Sequence, residues 1–207
     1  MQQSVGRSGT GVFFREGLRS FGVTASLFPS SRFLAAAMVR PIDFRQAKVI
    51  VELGIGTGVF TIEILKRMSA HATLYALEIN PTFVEHVRER IHDPRFVPIL
   101  GAAEDLCPLL RERGVQRADA VVSSLGLTNM DNQTRGAIVG QAAACMARSG
   151  FLTQFQYLHA AGEPNWVCSF GLPRFSEEGF LRRYFRHVRS ERVLRNLPPA
   201  AVFTCRS

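Results

Sequence analysis

From Lys48 to Tyr157, apolar residues follow two alternating rhythms. Short continuous apolar runs, the mark of strands buried on both faces, alternate with stretches whose apolar positions recur every three or four residues. That alternation predicts a parallel α/β sheet. Lys48–Glu52 reads as a buried strand that ends at a glycine-rich turn. Thr57–Met68 is predicted as a helix, with Phe60, Ile64 and Met68 stacked on one face. Thr73–Glu78 is the second strand, and Pro81 opens the next helix, to about Ile91, at a position that tolerates proline. Phe96–Leu100 is the third strand, followed by a helix over Glu104–Arg113 closed by Gly114. Asp119–Ser123 is the fourth strand, Asp131–Arg148 a helix with Gly150 just past its end, and Phe151–Tyr157 the fifth strand.

After Tyr157 the pattern changes. Ser176 is placed to cap a short helix through Phe185, with Glu177 and Glu178 in the first turn, where the helix dipole favours acids. Two last strands follow, about His187–Leu194 and Ala200–Cys205, joined by Asn196-Leu197-Pro198-Pro199. The division expected is an N-terminal helical extension over residues 1–46, acting as substrate cap and membrane contact, and a main domain over residues 47–207.

The 207 residues suffice for one domain with a real core, and 46% hydrophobic with 20% charged residues is a globular composition. Charge changes the picture more. The net charge is +8, and Lys48 and Lys66 are the only lysines. Residues 1–46 hold six arginines and two acids, residues 47–150 eleven charges of each sign, and residues 151–207 eight arginines and four acids. A neutral middle between basic flanks points to a core whose edges meet something anionic. The longest stretch without a charged residue, Ser149–Gly162, is too short to cross a membrane, and the polar start lacks the apolar segment of a secretion signal. Cys107, Cys145, Cys168 and Cys205 form no C-x-x-C pair, so they read as buried thiols in a reducing cytoplasm, and no metal is expected.

The most informative segment is Glu52-Leu53-Gly54-Ile55-Gly56-Thr57-Gly58. Glycines between a strand and a helix let a ligand approach the backbone and expose helix N–H groups. The spacing is G-x-G-x-G, not the G-x-G-x-x-G of dinucleotide sites, and no Gly-Lys-Ser/Thr follows as in a phosphate-cradling loop. Glu78 closes the second strand about 20 residues after Gly58, where an acid can accept both hydroxyls of a ribose. These residues resemble the class I S-adenosylmethionine (SAM) methyltransferases: "VELGIGTG" is similar to their first motif and "ALEIN" to their second-strand acid. The resemblance implies a Rossmann-like, seven-stranded, mostly parallel α/β sheet whose last strand is antiparallel, with N-terminal amphipathic helices added. It implies SAM as cofactor, with S-adenosylhomocysteine as product. The cofactor-binding residues it implies are Glu52, Gly54, Gly56, Thr57, Gly58, Glu78, Ile79, Ala103, Glu104 and Ser123. "GAAEDL" (101–106) is similar to the adenine-site segment but has Ala102 where many members have Asp. Glu104 or Asp105 then either reaches the adenine amine or simply favours a helix N-terminus.

For the methyl acceptor, Pro29-Ser30-Ser31, "VVSSLGLTNM" (121–130), "QFQY" (154–157) and "NLPPA" (196–200) look like the small soluble bacterial phosphatidylethanolamine N-methyltransferases. That implies an aminophospholipid substrate, with Ser30, Ser31 and Leu125 near the headgroup. One departure stands out: Leu125-Gly126 replaces the Leu-Pro of those relatives, which leaves room for another aminolipid such as an ornithine lipid. The related rRNA adenine dimethyltransferases carry Asn-Leu-Pro-aromatic here; Ser124-Leu125-Gly126-Leu127 lacks the amide and the stacking ring, so no nucleic acid is expected, and an rRNA adenine N-methyltransferase is kept only as an alternative to the lipid enzyme. An inactive methyltransferase fold that binds RNA or lipid is the reading outside enzymes. For catalysis, positioning of the amine supplies most of the rate, and burial of an ammonium lowers its pKa toward the free base that must attack. Tyr157 is the candidate for orienting the amine, with Ser123 and Ser124 lining the pocket. His159, just past Tyr157, either accepts a proton or is merely exposed.

On a helical wheel of Val12–Phe21, Phe13, Phe14, Leu18 and Phe21 fall within about 140° of arc, opposite Arg15, Arg19 and Glu16. A phenylalanine face flanked by arginines suits an anionic membrane surface, so Phe13, Phe14, Arg15, Leu18, Arg19 and Phe21 are expected to meet the membrane; a helix packed on the domain is the alternative. The expected location is cytoplasmic, peripheral at the inner face of the cell membrane. The C-terminal arginines, from Arg182 to Arg195, form either a second lipid-facing patch or a solvated face; Trp166 is either an interfacial anchor or a lid or core residue.

Overall fold

The computed structural model describes residues 31–158 and 176–207. Helix α1 (Arg32–Val39) is capped by Ser31, whose hydroxyl oxygen accepts the Leu34 N–H at 3.2 Å. The chain then alternates as expected: β1 (Val49–Leu53), α2 (Val59–Leu65), β2 (Thr73–Glu78), α3 (Pro81–Arg90) and β3 (Phe96–Leu100). A 3-10 turn (Ala103–Asp105) leads into α4 (Leu106–Arg111), then β4 (Ala118–Ser123) and a second 3-10 turn (Leu127–Asn129). Helix α5 (Asn132–Cys145), β5 (Met146–Tyr157), α6 (Glu177–Leu181), β6 (His187–Val193) and β7 (Ala200–Arg206) complete the described elements.

The seven strands form one sheet in the order β3-β2-β1-β4-β5-β7-β6. Strands β1 to β5 are parallel, and β7 lies antiparallel between β5 and β6. The last strand is thus the antiparallel one, as the resemblance implied. Both faces are covered, so alternate residues of a strand enter different cores. Ile50 and Val122 join the core under α1 and α2; Val51, Leu53 and Val121 join the core under α4, α5 and α6. The chain moves outward from β1 through β2 to β3 and then returns to the other side of β1 with β4. That reversal opens a crevice at the carboxyl ends of β1 and β4, the usual place for a ligand in such sheets.

Helices are shorter than the sequence pattern: α2 stops at Leu65 rather than Met68, α4 covers Leu106–Arg111 within the expected Glu104–Arg113, and α6 stops at Leu181 rather than Phe185. Helix α2 begins at Val59 rather than Thr57 because Gly58 caps it with a left-handed φ of 83°. Helix α5 ends at Cys145 rather than Arg148, because Met146 already pairs with Ala118 of β4. Gly150 therefore lies inside β5, next to an irregularity in the pairing. A Cβ there would lie 3.0 Å from the carbonyl oxygens of Ala118 and Ala147, so the close approach of the backbones requires glycine. Cys107, Cys145 and Cys205 are buried free thiols, and burial pushes the Cys205 thiol up to about 12, far from reactive. Cys168 lies outside the described residues.

Candidate cofactor and acceptor site

The glycine turn after β1 is built from three left-handed residues: Gly54 (φ 83°), Gly56 (φ 52°) and Gly58 (φ 83°). Their surroundings differ. A Cβ on Gly54 would lie 2.9 Å from both Leu125 Cδ2 and Ser124 Oγ, whereas one on Gly56 meets nothing within 4 Å. Gly54 thus allows the β4 loop to close against the turn, and Gly56 faces open space. Thr57 is exposed beside it and lines a groove of about 500 Å³ between α2 and α3, with Lys66, His86 and Arg90.

Two carboxylates converge on this turn. Glu78, at the end of β2, accepts the Gly56 N–H at 3.0 Å through Oε2 and the Asn80 N–H at 2.9 Å through Oε1. It therefore spans from its own strand to the middle glycine. Glu52, at the end of β1, is fully buried; Oε2 accepts a hydrogen bond from Thr61 Oγ1 at 2.7 Å, and Oε1 has no partner among the described residues. Burial pushes the Glu52 carboxyl up to about 8, against the lowering effect of the Thr61 bonds. Ile79 follows Glu78 and is half-buried. Ala103 and Glu104, also half-buried, lie in the 3-10 turn after β3, and Gly101 N–H bonds back to Glu78 O at 3.0 Å.

On the other side of the crevice, Ser123 is buried with a hydroxyl that has no partner among the described residues. Buried polar atoms are normally satisfied, so orphaned acceptors at the ends of neighbouring strands mark a place for a polar ligand. Ser124 is differently engaged. Its hydroxyl donates to Gly54 O at 2.7 Å and its N–H to Leu53 O at 2.9 Å, which ties the β4 loop to the glycine turn. Leu125 packs its side chain over Gly54, while its carbonyl accepts from Gln154 Nε2 at 2.7 Å.

Tyr157 ends β5, half-buried, edge-on to Phe155 at 5.2 Å; Phe155 in turn leans on Phe60 of α2 at 5.9 Å. Ser31 is brought to the same end of the sheet by a bond distant in sequence. Its N–H donates to Asn196 Oδ1 at 2.9 Å and its hydroxyl to Arg195 O at 3.1 Å. Asn196 Nδ2 donates to Pro198 O at 2.7 Å. Ser31, the last residue of "PSS", is thus tied to the first residue of "NLPPA". Phe13, Phe14, Arg15, Leu18, Arg19, Phe21 and Ser30, with His159 and Trp166, lie outside the described residues.

Sequence reasoning missed one group. The sequence pattern places Glu177 as a first-turn acid facing the helix dipole, yet it is 1% exposed. Gln156 Nε2 donates to Thr128 Oγ1 at 3.1 Å, and Thr128 Oγ1 to Glu177 Oε2 at 3.4 Å. Burial pushes the Glu177 carboxyl up to about 8. The polar pair in "QFQY" was the available signal: two glutamines alternating with aromatics on a buried strand demand partners on one face. Among the described residues no group of three or more His, Cys, Asp or Glu side chains is placed to hold a metal, and no helix is long and apolar enough to cross a membrane.

Comparison with known proteins bears on this geometry. Residues 50–150 match a family model described as a methyltransferase domain. The chain is 34% identical over 197 residues to the ornithine lipid N-methyltransferase of Singulisphaera acidiphila, covering 95% of this chain and 93% of that protein. Among solved structures, the 1,6-didemethyltoxoflavin-N1-methyltransferase of Burkholderia thailandensis, with bound 1,6-didemethyltoxoflavin and S-adenosylhomocysteine, is similar with a TM-score of 0.66 and 18% identity. The match covers 99% of this chain and 93% of that one. An O-methyltransferase family protein from the same organism is similar with a TM-score of 0.59 and 16% identity; there the match covers 91% of this chain but only 59% of the other. At such identities the two structures speak for the fold.

Proposed function

The chain belongs to the class I SAM-dependent methyltransferases, and from that premise we propose that it methylates the amine of an ornithine-type aminolipid. The observation that carries this reading is the 34% identity, over 95% of the chain, to an ornithine lipid N-methyltransferase. Leu125-Gly126, in place of the Leu-Pro that the resemblance to phosphatidylethanolamine methyltransferases implies, leaves room for such an acceptor. Phosphatidylethanolamine is the second acceptor to test, on the strength of the "PSS" and "NLPPA" segments.

The crevice suits the cofactor. Gly56 leaves open space above the turn, Glu78 is in reach of a ligand beside it, and Glu52 Oε1 and Ser123 Oγ await donors or acceptors. In this assignment Gly54, Gly56, Thr57 and Gly58 cradle the amino-acid end, and Glu52 Oε1 meets its ammonium group, whose positive charge opposes burial and favours the carboxylate form. Glu78 exchanges its backbone bonds for the ribose hydroxyls, and Ile79, Ala103 and Glu104 border the adenine. Bound SAM supplies a methyl group on a sulfonium, which is a good leaving group. The protein's own part is positioning: Ser124 and Leu125 hold the acceptor loop against the glycine turn, and Tyr157 orients the amine. Apolar neighbours such as Phe155 and Phe60 disfavour the ammonium form, which frees the lone pair.

Incubation with methyl-labelled SAM and either total lipid or total RNA tests the reading. Label is expected in the lipid fraction alone; label in RNA alone overturns it. Tyr157→Phe should lower turnover and leave SAM affinity unchanged, and equal turnover removes Tyr157 from the mechanism.

A further inference from the structure

The β6–β7 turn and the start of α1 share one rim of the fold, and its surface is unlike the rest. Leu194 is 70% exposed, Leu197 73% and Phe33 37%. Only three other large apolar side chains among the described residues are exposed, and they are scattered over other elements. Two cations sit on Phe33: the guanidinium carbon of Arg32 lies 4.9 Å from the ring centroid and that of Arg195 5.4 Å. Neither arginine forms an ion pair among the described residues. No acid occurs in residues 31–40 or 192–200, and the adjacent Glu191 already pairs with Arg40.

The rim is also fixed to the site. Ser31 bonds to Asn196 and to the Arg195 carbonyl, so helix and turn form one piece. Ala200 at the foot of the turn pairs with Tyr157, and Leu158 N–H bonds to Pro199 O at 2.8 Å. The exposed leucines therefore project at the carboxyl edge of the sheet, beside the end of β5.

We propose that this rim docks on an anionic phospholipid bilayer, with Leu194, Leu197 and Phe33 entering the headgroup–acyl boundary and Arg32 and Arg195 meeting lipid phosphates. The charge complementarity selects this occupant: apolar tips flanked by two arginines that have no ion pair among the described residues, with no acid in residues 31–40 or 192–200, match a surface that is apolar beneath and negative above. Its purpose rests on the lipid-acceptor reading, because a headgroup held at this rim is delivered to the edge where the methyl donor is assigned. The surface lies in residues separate from the Phe-rich segment 12–21.

Vesicle flotation of the full chain tests it, using phosphatidylglycerol-containing and pure phosphatidylcholine vesicles. The chain is expected to float with the anionic vesicles and stay behind with the neutral ones. Leu194→Ser combined with Leu197→Ser should cut the bound-to-free ratio by about tenfold or more. Arg32→Ala and Arg195→Ala should each cut it by about fivefold at low salt. Unchanged thermal midpoint and SAM affinity would show that the leucine variant is folded. That variant should still methylate a dispersed short-chain aminolipid while losing activity on vesicles. Patch-dependent flotation without any lipid methylation leaves the surface standing and removes the acceptor reading. Flotation unchanged in both sets of variants overturns the surface, as does a dimer in solution that the leucine changes dissociate with no effect on vesicles.

Discussion

At the scale of single residues, the glycine turn separates two roles that the sequence presents as equivalent. Gly54→Ala puts a Cβ into Ser124 and Leu125 at a φ that side chains disfavour, so it should destabilise the fold by about 1–3 kcal/mol. Gly56→Ala has room, so its strain amounts to about 1–2 kcal/mol, yet its Cβ occupies the space assigned to the cofactor. Denaturant unfolding and calorimetry with SAM should give a contrast. Gly56→Ala is destabilised only by the backbone strain, about 1–2 kcal/mol, and binds SAM poorly, whereas Gly54→Ala adds the clash with Ser124 and Leu125 and loses more stability; intact SAM binding by Gly56→Ala contradicts the assignment. Glu52 carries a stability signature as well. Its carboxyl rises from 4.5 to about 8 in the folded state, chiefly through burial. Between those pH values the folded chain keeps a proton that the unfolded chain has lost. Stability therefore falls as pH rises through that window, by at most about 1.4 kcal/mol per pH unit for each such group. Glu177 acts in the same direction. Glu52→Gln should flatten the decline in thermal midpoint between pH 5 and 8 while weakening SAM binding; parallel pH profiles for parent and variant would exclude this account.

At the scale of elements, α1 and the β6–β7 turn are joined through Ser31 and Asn196. The Ser31 hydroxyl both caps α1 and bonds to the Arg195 carbonyl, and the buried Asn196 amide bonds to Ser31 and Pro198. Ser31→Ala should lose about 1 kcal/mol with the cap. Asn196→Ala should lose about 1–3 kcal/mol, because backbone groups are left without partners. Since the two share one bond network, the double variant should fall short of additivity by about 0.5 kcal/mol or more. Urea unfolding of the four proteins measures this, and strict additivity would mean that helix and turn are held independently. Strands and helices up to β4 were legible because each apolar run ends at a glycine, proline or capping side chain: Gly58, Pro81 and Gly114 are examples. The end of α5 was not. Met146–Gly150 has no local signal for a strand, and its conformation is imposed by Ala118 across the sheet. Glu177 was illegible for the same reason: an acid in a first turn looks solvated until Thr128 and Gln156 arrive from distant strands and loops.

At the scale of the whole molecule, charge and topology divide the work. The electrically neutral segment 47–150 carries the glycine turn, both carboxylates and the β4 loop, so the basic flanks are not required for the cofactor. The sequence made the cofactor half of the site readable because its residues are close in the chain and set by strand ends. The proposed acceptor half draws on Ser31, Leu125 and Tyr157, which the sheet order β4-β5-β7 and the Ser31–Asn196 and Gln154–Leu125 bonds bring to one edge. Motif resemblance named phosphatidylethanolamine first, and the relative over 95% of the chain shifts the weight to an ornithine lipid. The most direct test sets these two acceptors against each other, in anionic vesicles of otherwise equal composition, with labelled SAM and product separation by chromatography. Methyl transfer to the ornithine lipid at the higher initial rate is the expected result; transfer to phosphatidylethanolamine alone, or to neither lipid, would contradict the proposed acceptor.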